Sequence, residues 1–344
     1  MPHLQLYGRR RALRRRRADG RARSLRRGTR RVTSREYVRR YFSDSARQWL
    51  ARAYDDVEET AAYPVGAQRT RLALEGVVDR LGTAQGHLVD LGCGGGNLAL
   101  HAVDLGFRAT GVDLAEGMIA EAEARRAALV PDARDRVSFR VADVLETGLR
   151  TGSADAVTAI GLVEYLAADE PFLAETARLL RGGGVLVVSC RNRLFNATSG
   201  NDYTREEIET GSATGLLEEL ATLRPDRAVV PLLGEVVARL REALPGLERA
   251  LAKDAASEGA RVARSSPVFG QRRRQHSPAG FAAAAAAAGF RHPRFFGVHP
   301  HVLSPALEAV APRFYNRFAA ALEPLESAPV SLAWSSAFLA VFTR

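Results

Sequence analysis

Lysine is almost missing from this 344-residue chain, where Lys253 is the single example among 49 basic residues. So strong a preference for arginine, with abundant alanine, is what a GC-rich coding sequence produces, so arginine runs carry less functional weight here than elsewhere. Cysteine is scarce too: Cys93 and Cys190 are the only two. Two thiols far apart build no disulfide framework, and a reducing, cytoplasmic setting is expected. No run of eighteen apolar residues occurs, which excludes a helical membrane span. A charged n-region followed by an apolar h-region is also missing, so no secretory signal is read. What the chain does have is length and 46% apolar residues, enough for a large core with additions to it.

The net charge of +10 is local. Residues 1–31 hold thirteen arginines and one acid, Asp19, while the remaining residues hold 36 bases and 38 acids. Residues 1–34 lack the apolar content to build a core and are expected to be a disordered tail. Three uses are open to it: an arm for nucleic acid or another anionic surface, an organelle transit segment, or a translated leader from a start placed too far upstream. We favour the last.

The most informative stretch is Asp90-Leu-Gly92-Cys93-Gly94-Gly-Gly96, directly after the apolar pair Leu88-Val89. Spaced glycines at a strand-to-helix turn allow a tight bend and let a bound cofactor approach the backbone where a Cβ would stand. A nicotinamide fingerprint would place its third glycine one residue later and hold a pyrophosphate on the helix N-terminus. Here the loop begins with a carboxylate, which repels phosphate and attracts the methionine ammonium of S-adenosylmethionine. Phe107 to Asp113 reads as a second strand ending in an acid about twenty residues after the first glycine, where a carboxylate meets ribose hydroxyls. Val137 to Asp143 reads as a third, its acid placed to accept from an adenine amino group. Ala154 to Gly161 reads as a fourth, a helix through Phe172 to Leu180 follows, and Arg181-Gly-Gly-Gly184 turns into a fifth, Val185 to Cys190.

In this order the motifs Val89 to Gly96, Gly111-Val-Asp113, Ala142-Asp143, Gly161-Leu-Val-Glu164 and Leu179 to Gly184 resemble the core of the class I S-adenosylmethionine-dependent methyltransferases. The resemblance covers residues 85–190, about a third of the chain. It implies an α/β fold with a Rossmann-like seven-stranded sheet whose last strand is antiparallel. His292 to His299 and Ser336 to Thr343 are the candidates for strands six and seven. It also implies S-adenosylmethionine as cofactor, held by Asp90, Gly92, Cys93, Gly94, Gly96, Asp113, Leu114, Met118, Ala142, Asp143, Val144 and Gly161. Residues 35–84, with aromatic and aliphatic residues at helical spacing from Tyr37 to Phe42 and Trp49 to Tyr54, look like the N-terminal helices that lid the cofactor mouth in small-molecule members of this class.

Residues 191–275 form an insertion after strand five, with helical patterns at Arg205 to Leu223 and Leu232 to Leu251 and a basic loop at Arg272 to Arg274. Standing over the carboxyl ends of the sheet, it is expected to cap the acceptor site. Ser277-Pro278 then starts a helix, alanines 282–288 propagate it and Gly289 ends it, so residues 276–344 complete the core.

Methyl transfer from a sulfonium is an in-line displacement, so alignment and exclusion of water are the protein's main tasks. A general base is needed only if the acceptor enters protonated. His276, Glu164 and Tyr203 are the expected catalytic residues, with His299 and His301 as further candidates. No third ligand at recognisable spacing accompanies His299 and His301, so no metal is expected. The acceptor is expected to be a small molecule methylated on oxygen, nitrogen or carbon, and the oligomeric state is left open. The rival is a nucleic-acid methyltransferase using the basic arm. Against it stand the slightly acidic remainder of the chain and the lack of an Asn/Asp-Pro-Pro-aromatic stretch after strand four.

Overall fold

A computed structural model describes residues 35–54, 62–256 and 272–344. The expectation of a disordered tail over 1–34 therefore lies outside the described residues, as does the part of the insertion from 257 to 271.

Short β-branched and leucine-rich runs make the strands β1 (His87–Leu91), β2 (Arg108–Asp113), β3 (Val137–Val141), β4 (Ala154–Ala159), β5 (Leu180–Arg191), β6 (Arg291–Pro300) and β7 (Ser335–Thr343). They form one sheet in the order β3-β2-β1-β4-β5-β7-β6. Strands β1 to β5 pair in parallel, whereas β7 runs antiparallel to both of its neighbours. As expected, the last strand is the reversed one. It follows that β6 points the same way as β1 to β5, so His299 and His301 arrive at the carboxyl edge of the sheet. Strand order reverses between β1 and β4, which opens a crevice at their carboxyl ends, where folds of this type bind ligands.

Alternation along β5 sends side chains to two cores. Leu186, Val188 and Cys190 face a cluster with Phe172, Phe281, Phe290, Phe338 and Phe342, roofed by two helices that we number α6 (Glu170–Leu179) and α11 (Pro278–Ala287) in chain order. Val185 and Val187 face Leu72, Val77, Leu98, Phe107 and Val341 beneath α2 (Val65–Leu81) and α3 (Asn97–Leu105). A Cβ at Gly76 would stand 2.8 Å from Val341, so α2 lies directly on the sheet. The start of α11 follows its sequence signal: the Ser277 hydroxyl accepts from the Gly280 N–H at 3.1 Å, and Gly289 is left-handed.

Several elements depart from the sequence reading. Residues 35–84 are not all lid: α1 (Arg35–Tyr54) covers the crevice, but α2 is a core helix. The pattern from Arg205 to Leu223 is two helices, α8 (Asp202–Glu209) and α9 (Ala213–Thr222), because Gly211 between them takes φ 72° and breaks the ladder. The long helix α10 (Val229–Ala256) does not roof the crevice. Its Val236 packs with Leu322 and Leu325, beyond the end of α12 (Pro312–Ala321), a helix the sequence reading lacked. Strand β5 begins at Leu180 rather than Val185, with the glycine run accommodated as a register shift against β4.

Candidate active site

The crevice is built first by the glycine loop. Gly92, Gly94 and Gly96 all have positive φ, at 72°, 52° and 79°. The N–H groups of Gly92 and Cys93 both donate to the carbonyl of Val112, at 2.7 and 3.1 Å, which ties the loop to β2. A Cβ at Gly96 would stand 2.5 Å from the Phe139 ring, so this glycine serves the packing of α3 on the sheet. A Cβ at Gly94 would meet only the Met118 sulfur, at 3.8 Å. The loop crest is therefore open to a ligand at Gly94.

A buried carboxylate, Asp90, and a half-buried one, Asp113, flank that opening. Asp90 accepts from the Thr158 hydroxyl at 2.7 Å across the β1–β4 pair. Burial pushes its carboxyl up to about 7, against the Thr158 hydrogen bond and with a further push from the Asp113 charge. Asp113 accepts from the N–H groups of Gly94 and Ala115, both at 2.9 Å, and burial raises it too in spite of those bonds. Neither forms an ion pair among the described residues. Such a pair disfavours a phosphate and lacks a cation, which the ammonium and sulfonium of S-adenosylmethionine would supply. The donor set fits that cofactor. Burial, and then these two charges, lift the Cys93 thiol well above its ordinary range, and both cysteines are buried and free.

Helix α1 closes over the same opening. Leu50 lies against Gly95, where a Cβ would stand 2.6 Å from it, and Ala46 and Leu50 pack with Ala115 and Met118. Arg39 pairs with Glu116 at 2.7 Å and Arg35 with Asp143 at 2.8 Å. The expected cofactor residues Asp90, Gly92, Cys93, Gly94, Gly96, Asp113 and Met118 are thus brought together. Ala142 joins them by donating its N–H to the Asp113 carbonyl at 3.0 Å, with Leu114 half-buried alongside. The Val144 side chain instead enters the main apolar cluster.

Beyond β4 the chemistry changes sign. Gly161 has φ 68°, and its Cβ position is 3.6 Å from Nη1 of Arg69, which reaches over from α2. Glu164 is buried, 3.4 Å from Arg273, and its Oε2 has no hydrogen-bond partner. Burial pushes the Tyr165 phenol up to about 12, and its ring packs edge-on to Phe42 of α1 at 5.2 Å. Tyr203, on the first turn of α8, lies under the Arg272 guanidinium at 5.3 Å and within electrostatic reach of Arg191 and Arg273.

His276 sits elsewhere. Its ring is buried edge-on to Phe281, and Nε2 bonds to both oxygens of Asp169 at 3.0 and 3.1 Å. Burial would raise Asp169, but the bonds from His276 and from Arg274 hold it at about 2. The backbone of His276 also bridges to Arg191 and Arg193, which stitches the returning chain to the end of β5. His299 has φ 56° and stacks on Tyr63 at 4.3 Å, while His301 accepts from or donates to the Tyr315 hydroxyl at 2.8 Å. Burial depresses both imidazoles, His301 to about 4. No group of three metal-ligating side chains lies together among the described residues. The sequence reading missed Arg69 and Asp169. Arg69 carries no local signal, but Asp169 precedes Glu170-Pro171 in the manner of a helix start.

Fold and site together resemble those of the class I S-adenosylmethionine-dependent methyltransferases. Residues 89–188 match the family model described as a methyltransferase domain. The chain is 34% identical over 121 residues to a ubiquinone biosynthesis O-methyltransferase of Xanthomonas oryzae pv. oryzae, covering 35% of this chain and 49% of that protein. It is 31% identical over 135 residues to a probable S-adenosylmethionine-dependent methyltransferase of Mycolicibacterium smegmatis, covering 38% and 49%. Among solved structures, magnesium protoporphyrin IX methyltransferase of Synechocystis aligns over 90% of this chain and 98% of that one, at 17% identity and TM-score 0.48. The chain spans about half the length of these curated relatives.

Proposed function

We propose that this chain transfers a methyl group from S-adenosylmethionine to a small-molecule acceptor bound at the carboxyl edge of the sheet. The observation that carries the reading is the pair Asp90, buried, and Asp113, half-buried, beside an open glycine crest without a cation of their own. The cofactor supplies an activated methyl on a sulfonium, so the chain's own residues have to bind, orient and keep water out. Asp90 and the loop hold the methionine end, Asp113 the ribose, and Asp143 the adenine once Arg35 releases it. Helix α1 and the Tyr165 ring exclude water from above.

Where the acceptor enters protonated, Glu164 is the group we assign to take the proton, because its Oε2 is buried, unpartnered and beside Gly161. His276 is better read as a positioning residue than as a base: its Nε2 is committed to a carboxylate that Arg274 also binds. Tyr203 is read as a wall of the acceptor site. The small-molecule relatives support this class of acceptor over nucleic acid, since the enzyme of Xanthomonas oryzae pv. oryzae is named for ubiquinone biosynthesis. Incubating the chain with a metabolite extract and isotopically labelled cofactor, followed by mass analysis, should show label in one small compound. Calorimetric binding of nicotinamide dinucleotide in place of S-adenosylmethionine would sink the reading.

A further inference from the structure

In most of this protein a partly buried arginine is given a carboxylate. Arg178 has Glu175 at 2.7 Å, Arg193 has Glu207 at 2.7 Å, and Arg274 has Asp169 at 2.8 Å. Arg125 is held instead by Asn97 and the Gly95 carbonyl, and the two remaining exceptions converge on one place. Arg69 from α2 and Arg191 from the end of β5 each bury an Nε that finds no partner, and neither forms an ion pair among the described residues. Arg273, from the segment returning after the insertion, stands with them and has Glu164 at 3.4 Å. Burial, then the charges of Arg273 and Arg69, push Arg191 below its ordinary range. Three guanidiniums thus face one acid at the mouth of Gly161, on three segments far apart in the chain.

Half-buried guanidiniums without counter-ions are costly unless something anionic completes them. Their planar forks match the two oxygens of a carboxylate or the oxygens of a phosphate. We propose that the methyl acceptor carries an anionic group, a carboxylate or a phosphate, which Arg69, Arg191 and Arg273 hold at the carboxyl edge of the sheet. The group is an anchor and not the methylated atom, since guanidiniums stabilise an anionic oxygen and so blunt it as a nucleophile. The methylated atom is another one on the same molecule, on the side of Glu164. This inference rests on the methyl-transfer reading.

The test is calorimetry on the full chain saturated with S-adenosylhomocysteine at constant ionic strength, with benzoate, inorganic phosphate and the neutral benzamide as probes. Benzoate or phosphate should bind one to one and roughly tenfold or more tighter than benzamide, and whichever binds tighter identifies the class of anion. Arg191→Gln and Arg69→Gln should each remove that preference while leaving affinity for S-adenosylhomocysteine unchanged. Anions binding no tighter than benzamide to the unaltered chain would overturn the proposal even if both variants failed to fold. So would a preference that survives in both variants. If S-adenosylhomocysteine itself does not bind, the methyl-transfer reading is what fails.

Discussion

The two halves of the crevice carry opposite charge. Among the described residues, Asp90 and the half-buried Asp113 on the β1–β2 side have no cation, and on the β4–β5 side Arg69, Arg191 and Arg273 share a single acid. Neither half neutralises the other. In an interior of low effective dielectric such imbalance is expensive, and it persists where a ligand of the missing sign completes each side. The contrast teaches that the site is arranged for a cationic cofactor and an anionic acceptor lying end to end.

The sharpest way to break this comparison is to neutralise the one acid on the basic side. Glu164→Gln should lower turnover by roughly 10²–10⁴-fold, with cofactor affinity retained, if that carboxylate takes the acceptor's proton. Turnover within a few-fold of the parent would mean that the site works by alignment alone. On the acidic side, Asp113→Ala should weaken cofactor binding by about 1.5–3 kcal/mol in calorimetry, the range for hydrogen bonds to a charged group. Unchanged affinity in a folded variant would remove Asp113 from the site.

The pH dependence sharpens the comparison. Asp90 titrates near 7 in the folded chain against 3.8 for an unperturbed aspartate. Its contribution to stability is full below pH 3.8 and is lost as the pH rises through about 7, because the folded state then holds an ionised, desolvated carboxylate. A bound ammonium favours the ionised form, so cofactor binding near pH 6.5 should release up to about one proton. Calorimetry in two buffers of different ionisation enthalpy reads this release, and Asp90→Asn should abolish the difference. Heats that do not depend on buffer in the unaltered chain would disprove the coupling. A smaller effect is expected from His276→Ala: thermal stability should fall, while turnover stays within a few-fold. Deleting residues 1–31 should change neither cofactor affinity nor turnover on a small molecule. A loss confined to nucleic-acid substrates, with steep salt dependence, would favour the rival class.

The acidic half was legible in the sequence because it is local. Asp90 and its glycines are contiguous, Asp113 and Asp143 end the next two strands, and each can be recognised from its immediate neighbours. The basic half is assembled from positions 69, 191 and 273, whose proximity only the sheet order creates. Arg191 was visible only as the first residue after the fifth strand and Arg273 as part of a basic loop, and nothing around Arg69 distinguishes it from any other helix-surface arginine. The partner of His276 was hidden for a related reason: a histidine before a helix cap shows nothing of Asp169, more than a hundred residues away. The direction of β6 rested on the resemblance alone, and its antiparallel pairing with β7 places His299 and His301 at the carboxyl edge of the sheet. Gly211 did carry a readable signal, a glycine inside a helical pattern, and that pattern broke there.

One contact sets the height of the roof over the crevice. At Gly117, on the first turn of the helix after β2, a Cβ would run into the backbone carbonyl of Ser43, so α1 approaches to a separation that only a missing methyl permits. The carbonyl belongs to main chain and has no rotamer into which it can retreat. Any side chain at 117 acts as a shim: it tilts α1 away as a rigid body, lifts Leu50 off Gly95 and draws Arg35 from Asp143. Together with Gly95 under Leu50, that position leaves no room for one more carbon atom between roof and floor.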